Sequence, residues 1–316
     1  MNPETEQILS TLEVLLEPCL EIHLPNNHRS SLVPFVWDVA GSKFNLLNLG
    51  QSEGWIKLTD VELVVKSWQE LERRICLGPN YLPDNLKYTV DPATAIERGK
   101  KFQSLLQLLQ SNIKNLEAFR FSFRPYYSFC IVIGKTDDDD WICISPTVAR
   151  ETYIEDDIIS RSSLPELTPT RQLNKKTLEL QSRIQAIIAE IEPLTIYGYY
   201  VAEYKYRFAY HLVCAAATTN ELALKKALEA AGMLEIHKFN QFYPNQDYIQ
   251  SRFNWDEQEE LCFRYEKLNQ FLKQRLPEMI MFRCSFWNWE LIYMIAQNSS
   301  RDRLGIYLES EFDFNP

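Results

Sequence analysis

The sequence contains an internal repeat that limits the folds this chain can adopt. Residues 102–144 recur 163 residues further on without a gap, so that Phe102 corresponds to Tyr265. FRFSF at 119–123 corresponds to FRCSF at 282–286, which keeps an arginine and a serine inside an apolar pattern. Unrelated helices and strands can share apolar periodicity, whereas matched polar positions over this length indicate a duplicated unit. We therefore predict a tandem duplication of one domain of about 150 residues, a size that a single core usually supports.

The repeated unit has the pattern of a long helix followed by strands. Apolar residues recur at helical spacing through 101–118, and Asp91-Pro92 upstream combines a capping residue with proline at the first helical position. FRFSF, FCIVIG and WICIS follow as short apolar runs, which are typical of strands. Helices beside strands that are adjacent in sequence predict an α+β fold.

The segments that flank the repeat supply further helices and strands. In the first half we expect strands at 33–39, 43–50 and 55–58, then a helix that begins at Thr59-x-x-Glu62. In the second half we expect a helix at 174–192, a helix from Thr218-x-x-Glu221 to Gly232, and a cap at Asp256 for the repeated helix.

A change in composition divides the chain between the two halves. Residues 156–174 contain two prolines and several serines and threonines, as linkers often do. We therefore predict one domain at 1–155, a linker at 156–174 and a second domain at 175–316.

The charge balance bears on the choice of partner. The net charge is −10, opposite to the basic balance that is usual in nucleic-acid-binding proteins. We therefore expect a protein partner, and neither nucleic acid nor a membrane, and the charge is compatible with a basic partner. No apolar run approaches the roughly 18–20 residues of a membrane helix, and the acidic N-terminus lacks the basic segment of a signal peptide. These features predict a cytoplasmic protein.

The sequence contains no recognisable catalytic or metal-binding motif. Its seven cysteines include no C-x-x-C pair, its four histidines have no ligand spacing, and its glycines form no phosphate-binding loop. We predict no catalytic residue, no metal and no cofactor. A Cys–His pair formed only in three dimensions, or an enzyme of unrecognised type, stays open as an alternative.

The densest carboxylates are four consecutive aspartates, Asp137, Asp138, Asp139 and Asp140, in a turn between two strand patterns. A metal loop would need ligands interspersed at fixed spacing with a glycine turn, which this run lacks. The run is interpreted either as a solvated hairpin tip or as an acidic surface for a basic partner.

The first half resembles the nuclease A inhibitor family, whose members block a sugar-nonspecific, metal-dependent nuclease. The resemblance is carried by KFQSLLQLLQSNIKNLEAFRF at 101–121, VIG at 132–134 and ISPTVARET at 144–152, and it covers roughly residues 5–152. The second half joins only through the internal repeat. The resemblance implies an α-β-α sandwich, and the repeat implies two such domains in tandem.

The resemblance also implies candidate contacts with a nuclease. In the family these are a glutamate in the loop after the first helix, the C-terminal carboxylate and a Gln/Trp loop. Here the loop at 25–31 has no carboxylate, Glu151 and Thr152 match the family's last residues although the chain continues, and Asn80 and Tyr81 stand in place of the Gln/Trp loop.

Two functional hypotheses follow from these residues. The first is a non-catalytic protein-binding protein similar to the nuclease inhibitors, with the aspartate turn, Asn80, Tyr81, Glu151 and Thr152 as candidate contacts. The second is a scaffold or regulatory interaction module unrelated to nucleases. The oligomeric state and the share of each half in binding stay open.

Overall fold

The computed structural model describes residues 2–23, 29–77, 90–122, 128–148, 159–165, 171–200, 203–243, 253–286 and 289–311. The helices in these segments are α1 (Pro3–Leu16), α2 (Leu46–Ser52), α3 (Val64–Leu77), α4 (Pro92–Asn112), α5 (Lys175–Ala189), α6 (Asn220–Ala230) and α7 (Trp255–Arg275). A short 3-10 helix, Val61–Leu63, precedes α3.

The strands of the first half are β1 (Glu21–His23), β2 (Arg29–Ser31), β3 (Val33–Trp37), β4 (Ile56–Thr59), β5 (Ile113–Ser122), β6 (Ser128–Thr136) and β7 (Trp141–Pro146), and β8 (Ile159–Ser163) follows in the predicted linker. Those of the second half are β9 (Leu194–Tyr200), β10 (Glu203–Tyr210), β11 (Leu212–Ala217), β12 (Leu234–Phe242), β13 (Ile280–Phe286), β14 (Trp289–Gln297) and β15 (Arg303–Glu311).

Two antiparallel sheets organise these strands. One has five strands in the order β11-β7-β6-β5-β4, and the other has six in the order β3-β15-β14-β13-β12-β8. The pairs β1-β2 and β9-β10 form separate two-stranded sheets. The predicted α+β class is therefore confirmed.

The two sheets share one apolar core. On β6, Phe129 and Ile131 belong to a cluster that also contains Cys284 and Leu291 of the six-stranded sheet, together with α6 side chains such as Leu224. On the outer faces, α1 and α7 cover the six-stranded sheet, and α3, α4 and α5 cover the five-stranded sheet. The alternation of side chains along each strand produces this division, because successive residues point to opposite faces.

Each sheet is completed by elements from the other half of the chain. β3, from the first half, pairs with β15 of the second half, and α1 packs on β15 and α7. Conversely β11, from the second half, pairs with β7 of the first half, and α5 packs on β11 and α4. We call this arrangement the reciprocal exchange.

The predicted linker also takes part in a sheet. β8 lies within 156–174 and pairs with β12 at the edge of the six-stranded sheet. The division into domains at 1–155 and 175–316 stays a prediction. Each sheet contains strands from both of these ranges.

The repeated helices occupy equivalent positions. α4 and α7 each have 21 residues, and α7 begins 163 residues after α4. Phe102 and Tyr265, the first matched pair, are both buried, as are Leu109 and Leu272. Each helix is followed by three antiparallel strands that are adjacent in sequence and in the sheet.

Two predicted elements have the wrong type or extent. Residues 43–50, predicted as a strand, contain the start of α2, whose N-cap Asn45 accepts a hydrogen bond from the Asn48 amide. Short apolar runs fit either period, and here the cap favours the helix. The helix predicted over 101–118 ends at Asn112, and β5 begins at Ile113. A bulge between Lys114 and Glu117, with Asn115 at φ 49°, shifts the strand register there.

The predicted helix caps are partly correct. Asp91 caps α4 through the amides of Ala93 and Thr94, and Gly232 follows α6 with φ 77°. Asp256 does not cap α7. Asn254 does so, because its side chain accepts from the Glu257 amide while Glu257 accepts from the Asn254 amide.

A cut between residues 153 and 154 tests the reciprocal exchange. On its own, the first piece would expose the apolar face of α1, on which Ile8, Leu12 and Leu16 are buried in the whole chain. Burial of each of these side chains stabilises the fold by about 2 kcal/mol. We expect the co-expressed pieces to co-purify as a 1:1 complex, and each piece alone to aggregate or lack cooperative unfolding. Affinity capture, light scattering and circular dichroism measure this. Two separately stable monomeric pieces would contradict the exchange and support independent domains.

Candidate functional site

A cavity of about 500 Å³ lies between the two sheets. Phe119 and Ile133 line it from the five-stranded sheet, and Leu234 and Phe282 line it from the six-stranded sheet. Leu224 of α6 adds a further apolar wall. The walls therefore come from both halves of the chain and are mainly apolar. We call this space the inter-sheet cavity.

The starts of two helices form the rim of the inter-sheet cavity. Asn45 to Leu47 contribute the N-terminal end of α2, and Asn220 and Glu221 contribute that of α6. Lys43 Nζ lies 2.7 Å from Glu221 Oε1, which links the segment before α2 to α6. Both side chains are exposed, so this ion pair adds little stability. The exposed residues Glu117, Asn220 and Glu221 place the mouth of the cavity at the surface.

Arg303 brings a positive charge into the wall of the inter-sheet cavity. It is the first residue of β15, and its guanidinium lies over the Phe44 ring, 5.8 Å from the ring centroid. Phe44 is held edge-on by Trp37 and Phe282, with ring centroids 5.7 and 5.8 Å away. Burial lowers the pKa of Arg303 from its ordinary value, because removal of water disfavours the charged form.

Arg303 has no carboxylate partner among the described residues. Within these residues, its guanidinium contacts the Phe44 ring. A half-buried cation without a counter-ion is a costly feature, and it gains free energy when an anion is placed beside it.

The four aspartates form the turn between β6 and β7, as predicted, but they differ in exposure. Asp137 and Asp139 are exposed and lie 2.9 and 2.7 Å from Lys114 and Lys135. These contacts lower the pKa of both carboxyls, first through the hydrogen bond and then through the charge of the lysine.

Asp140 faces the protein interior. Its carboxylate is fully buried, lies 2.5 Å from Arg171 Nη1 and accepts a hydrogen bond from the Asn174 amide at 2.9 Å. It thereby holds the N-terminus of α5, a helix of the second half, against a turn of the first half. Of the predicted acidic surface, Asp137, Asp138 and Asp139 remain at least partly accessible to a partner.

The turn between β14 and β15 has an equivalent buried aspartate. Asp302 accepts hydrogen bonds from the Thr5 hydroxyl of α1 at 2.7 Å, from the Ser300 hydroxyl at 3.0 Å and from the Val39 amide at 3.2 Å. The bond from Thr5 is the main reason that the pKa of Asp302 lies below its ordinary value. Both exchanged helices are thus anchored by an aspartate of the other half.

The other predicted partner contacts fall where the structure gives no account of them. Asn80, Tyr81, Glu151 and Thr152 lie outside the described residues.

The described cysteines and histidines bear on the Cys–His alternative. Burial raises the pKa of Cys214 and Cys284 to about 12 and also raises the pKa of Cys130 and Cys143, which disfavours the nucleophilic thiolate. His211 Nδ1 lies 3.1 Å from the Ala209 carbonyl oxygen. In the described segments, no group of three or more His, Cys, Asp or Glu could hold a metal ion.

No described helix is both long and apolar enough to cross a membrane.

Comparisons of the chain with protein-family models, with curated proteins and with solved structures gave no match. The function is therefore inferred from the geometry of the chain itself.

Neither the inter-sheet cavity nor a role for Arg303 is predicted by the sequence. Phe44 lies in a segment that was predicted as a strand, and Arg303 opens an apolar strand where a single charge usually marks a strand end. The useful signal was Asn45 followed by Leu46, Leu47 and Leu49, which is compatible with a capped helix.

Substitution of Asp302 by asparagine tests the aspartate anchor. The change removes a buried carboxylate with three donors, so we expect the free energy of unfolding at pH 7 to fall by about 1–3 kcal/mol. The folded pKa of Asp302 is depressed, so its stabilisation is present above the unfolded value of about 3.9 and is lost as the pH falls through the folded value. The difference between wild type and variant should therefore narrow below about pH 4.

Urea unfolding at a series of pH values measures this difference. Asp256→Asn, at an exposed position of α7, is the control and should change stability little. An Asp302→Asn variant as stable as wild type at pH 7 would contradict the anchoring role.

Proposed function

We propose that the protein is a non-catalytic binding protein that takes a small, largely apolar organic ligand into the inter-sheet cavity. The observation that carries this proposal is the cavity of about 500 Å³ with apolar walls from both sheets. Pockets for small molecules usually have volumes of about 300–1,000 Å³, apolar walls and a few polar groups that orient the ligand.

The packing around the cavity supports a ligand rather than an accidental void. Protein interiors are close-packed, and voids larger than a water molecule are few. The lining side chains Phe119 and Leu234 are buried in a continuous core on either side of the cavity. An apolar ligand in this space would recover the dispersion contacts that these side chains lack on the cavity side.

Filling the cavity should weaken ligand binding. N-phenyl-1-naphthylamine is a neutral, apolar probe whose fluorescence rises when it leaves water. We expect saturable binding of one probe per chain. Leu224→Trp, which places an indole in the cavity wall, should lower the affinity by about tenfold or more, because the added volume occupies the ligand's space.

Leu58→Trp is the matched control, since Leu58 lies on β4 with 66% of its surface exposed. This variant should bind the probe like wild type. Absence of saturable binding, or unchanged binding by a folded Leu224→Trp variant, would overturn the proposed function.

A second candidate function is that of a protein-binding inhibitor of a sugar-nonspecific nuclease, with a scaffold module as its alternative. The exposed carboxylates on the turn between β6 and β7 favour it, together with the sequence resemblance. The negative charge of this turn could complement a basic cleft and speed association. Lys114 and Lys135 offset part of that charge, so the electrostatic gain is modest.

Titration into a magnesium-dependent nuclease assay tests the second candidate. Stoichiometric loss of DNA cleavage is the expected result, and replacement of Asp137, Asp138 and Asp139 by asparagine should weaken inhibition and its dependence on salt. Asp140 is left unchanged because it anchors α5. Full nuclease activity in the presence of excess folded protein would exclude inhibition of that nuclease.

We also propose that the chain arose by tandem duplication of a unit similar to the nuclease inhibitors. The matching order of β4-β5-β6-β7 and β12-β13-β14-β15 supports a duplication, as do the equal lengths of α4 and α7. In this proposal, the two copies exchanged their first helix and a following strand.

A further inference from the structure

The charged side chains around the inter-sheet cavity differ in whether an opposite charge lies beside them. Glu221 is paired with Lys43 at 2.7 Å, and Lys225 lies 3.7 Å from Glu229. Glu117, the other carboxylate of the lining, is exposed and therefore solvated. Arg303 is the charged lining residue that is both partly buried and without a counter-ion among the described residues.

The position of Arg303 suits recognition of an anion at the end of an apolar ligand. Its guanidinium carbon lies over the Phe44 ring, 5.8 Å from the ring centroid. A guanidinium over an aromatic ring can still donate hydrogen bonds, and its paired N–H groups match the two oxygens of a carboxylate or two of the three oxygens of a sulfonate. The apolar walls would then hold the hydrocarbon body of the same molecule.

We propose that the ligand of the inter-sheet cavity is an organic anion, with an aromatic or aliphatic body against the apolar walls and a carboxylate or similar group on Arg303. This inference rests on the proposed ligand-binding function and specifies its ligand class. The partly buried guanidinium gains most from such a ligand, because charge pairing is stronger where water is excluded.

A matched pair of probes separates the anionic group from the apolar body. N-phenyl-1-naphthylamine and 1-anilinonaphthalene-8-sulfonate share one aromatic skeleton, and the second adds a sulfonate. Binding of both probes is measured by fluorescence titration to the full-length protein at two salt concentrations. Wild type should bind the sulfonate more tightly than the neutral probe, and added salt should reduce this preference.

Arg303→Met removes the charge and keeps an unbranched apolar side chain. This variant should lose about tenfold or more in affinity for the sulfonate, the range expected for a charge-assisted contact. Its affinity for the neutral probe should stay within about twofold of wild type, which also shows that the cavity is intact. Lys175→Met, at an exposed position of α5 outside the cavity lining, is the control and should leave the preference unchanged.

The outcomes distinguish failure of the cavity function from failure of the anionic ligand class. If wild type does not bind the neutral probe saturably, or if Leu224→Trp leaves sulfonate binding unchanged, the proposed cavity function fails and this inference fails with it. If both probes bind in the cavity but Arg303→Met lowers both affinities equally or neither, the cavity function stands and the anionic ligand class is wrong. Selective loss of the sulfonate establishes Arg303 as the anion-binding residue.

Discussion

The pairing of β3 with β15 and of β11 with β7 is the constraint on which the rest of the structure depends. Backbone N–H and C=O groups at a sheet edge must find partners or water, and each of these strands satisfies an edge of the opposite half. The exchanged strands bring α1 and α5 with them, and each helix covers the outer face of the sheet that its strand completes. These backbone hydrogen bonds therefore complete both sheets and bring α1 and α5 to their outer faces.

The inter-sheet cavity is a consequence of this pairing. Phe44 follows β3 in the chain, and Arg303 is paired with Trp37 in the β3-β15 ladder, so the contact of the guanidinium with the Phe44 ring depends on the exchange. The opposite wall belongs to β5 and β6, which the first half supplies, and α6 closes the space from the second half. A ligand in the cavity would contact both halves at once. Binding should therefore favour the assembled state over any partly opened one.

The buried aspartates explain how the exchanged helices keep their positions. In the sequence, Asp140 and Asp302 resemble ordinary turn residues, and one of them belongs to the most acidic run of the chain. In the structure, each accepts hydrogen bonds from the start of a helix of the other half. A buried carboxylate is tolerated only when donors surround it, so these contacts favour one docking position of each helix over displaced ones. In the aspartate run, Asp140 therefore anchors α5, whereas Asp137, Asp138 and Asp139 are at least partly exposed.

The sequence by itself determined the α+β class, the amphipathic pattern of the helix α4 and the cap at Asp91, since periodicity and capping are local. It did not determine that residues 43–50 contain the start of α2, because short apolar runs fit both the helix and the strand period. It also did not determine that β5 begins at Ile113. Only the tertiary structure decided which sheet β3 and β11 join, and with it the cavity and the setting of Arg303. The physical reason is that the alternation of apolar and polar residues specifies which face of a strand is buried. The neighbouring strand in the sheet is not specified in this way, because every strand offers the same backbone hydrogen bonds.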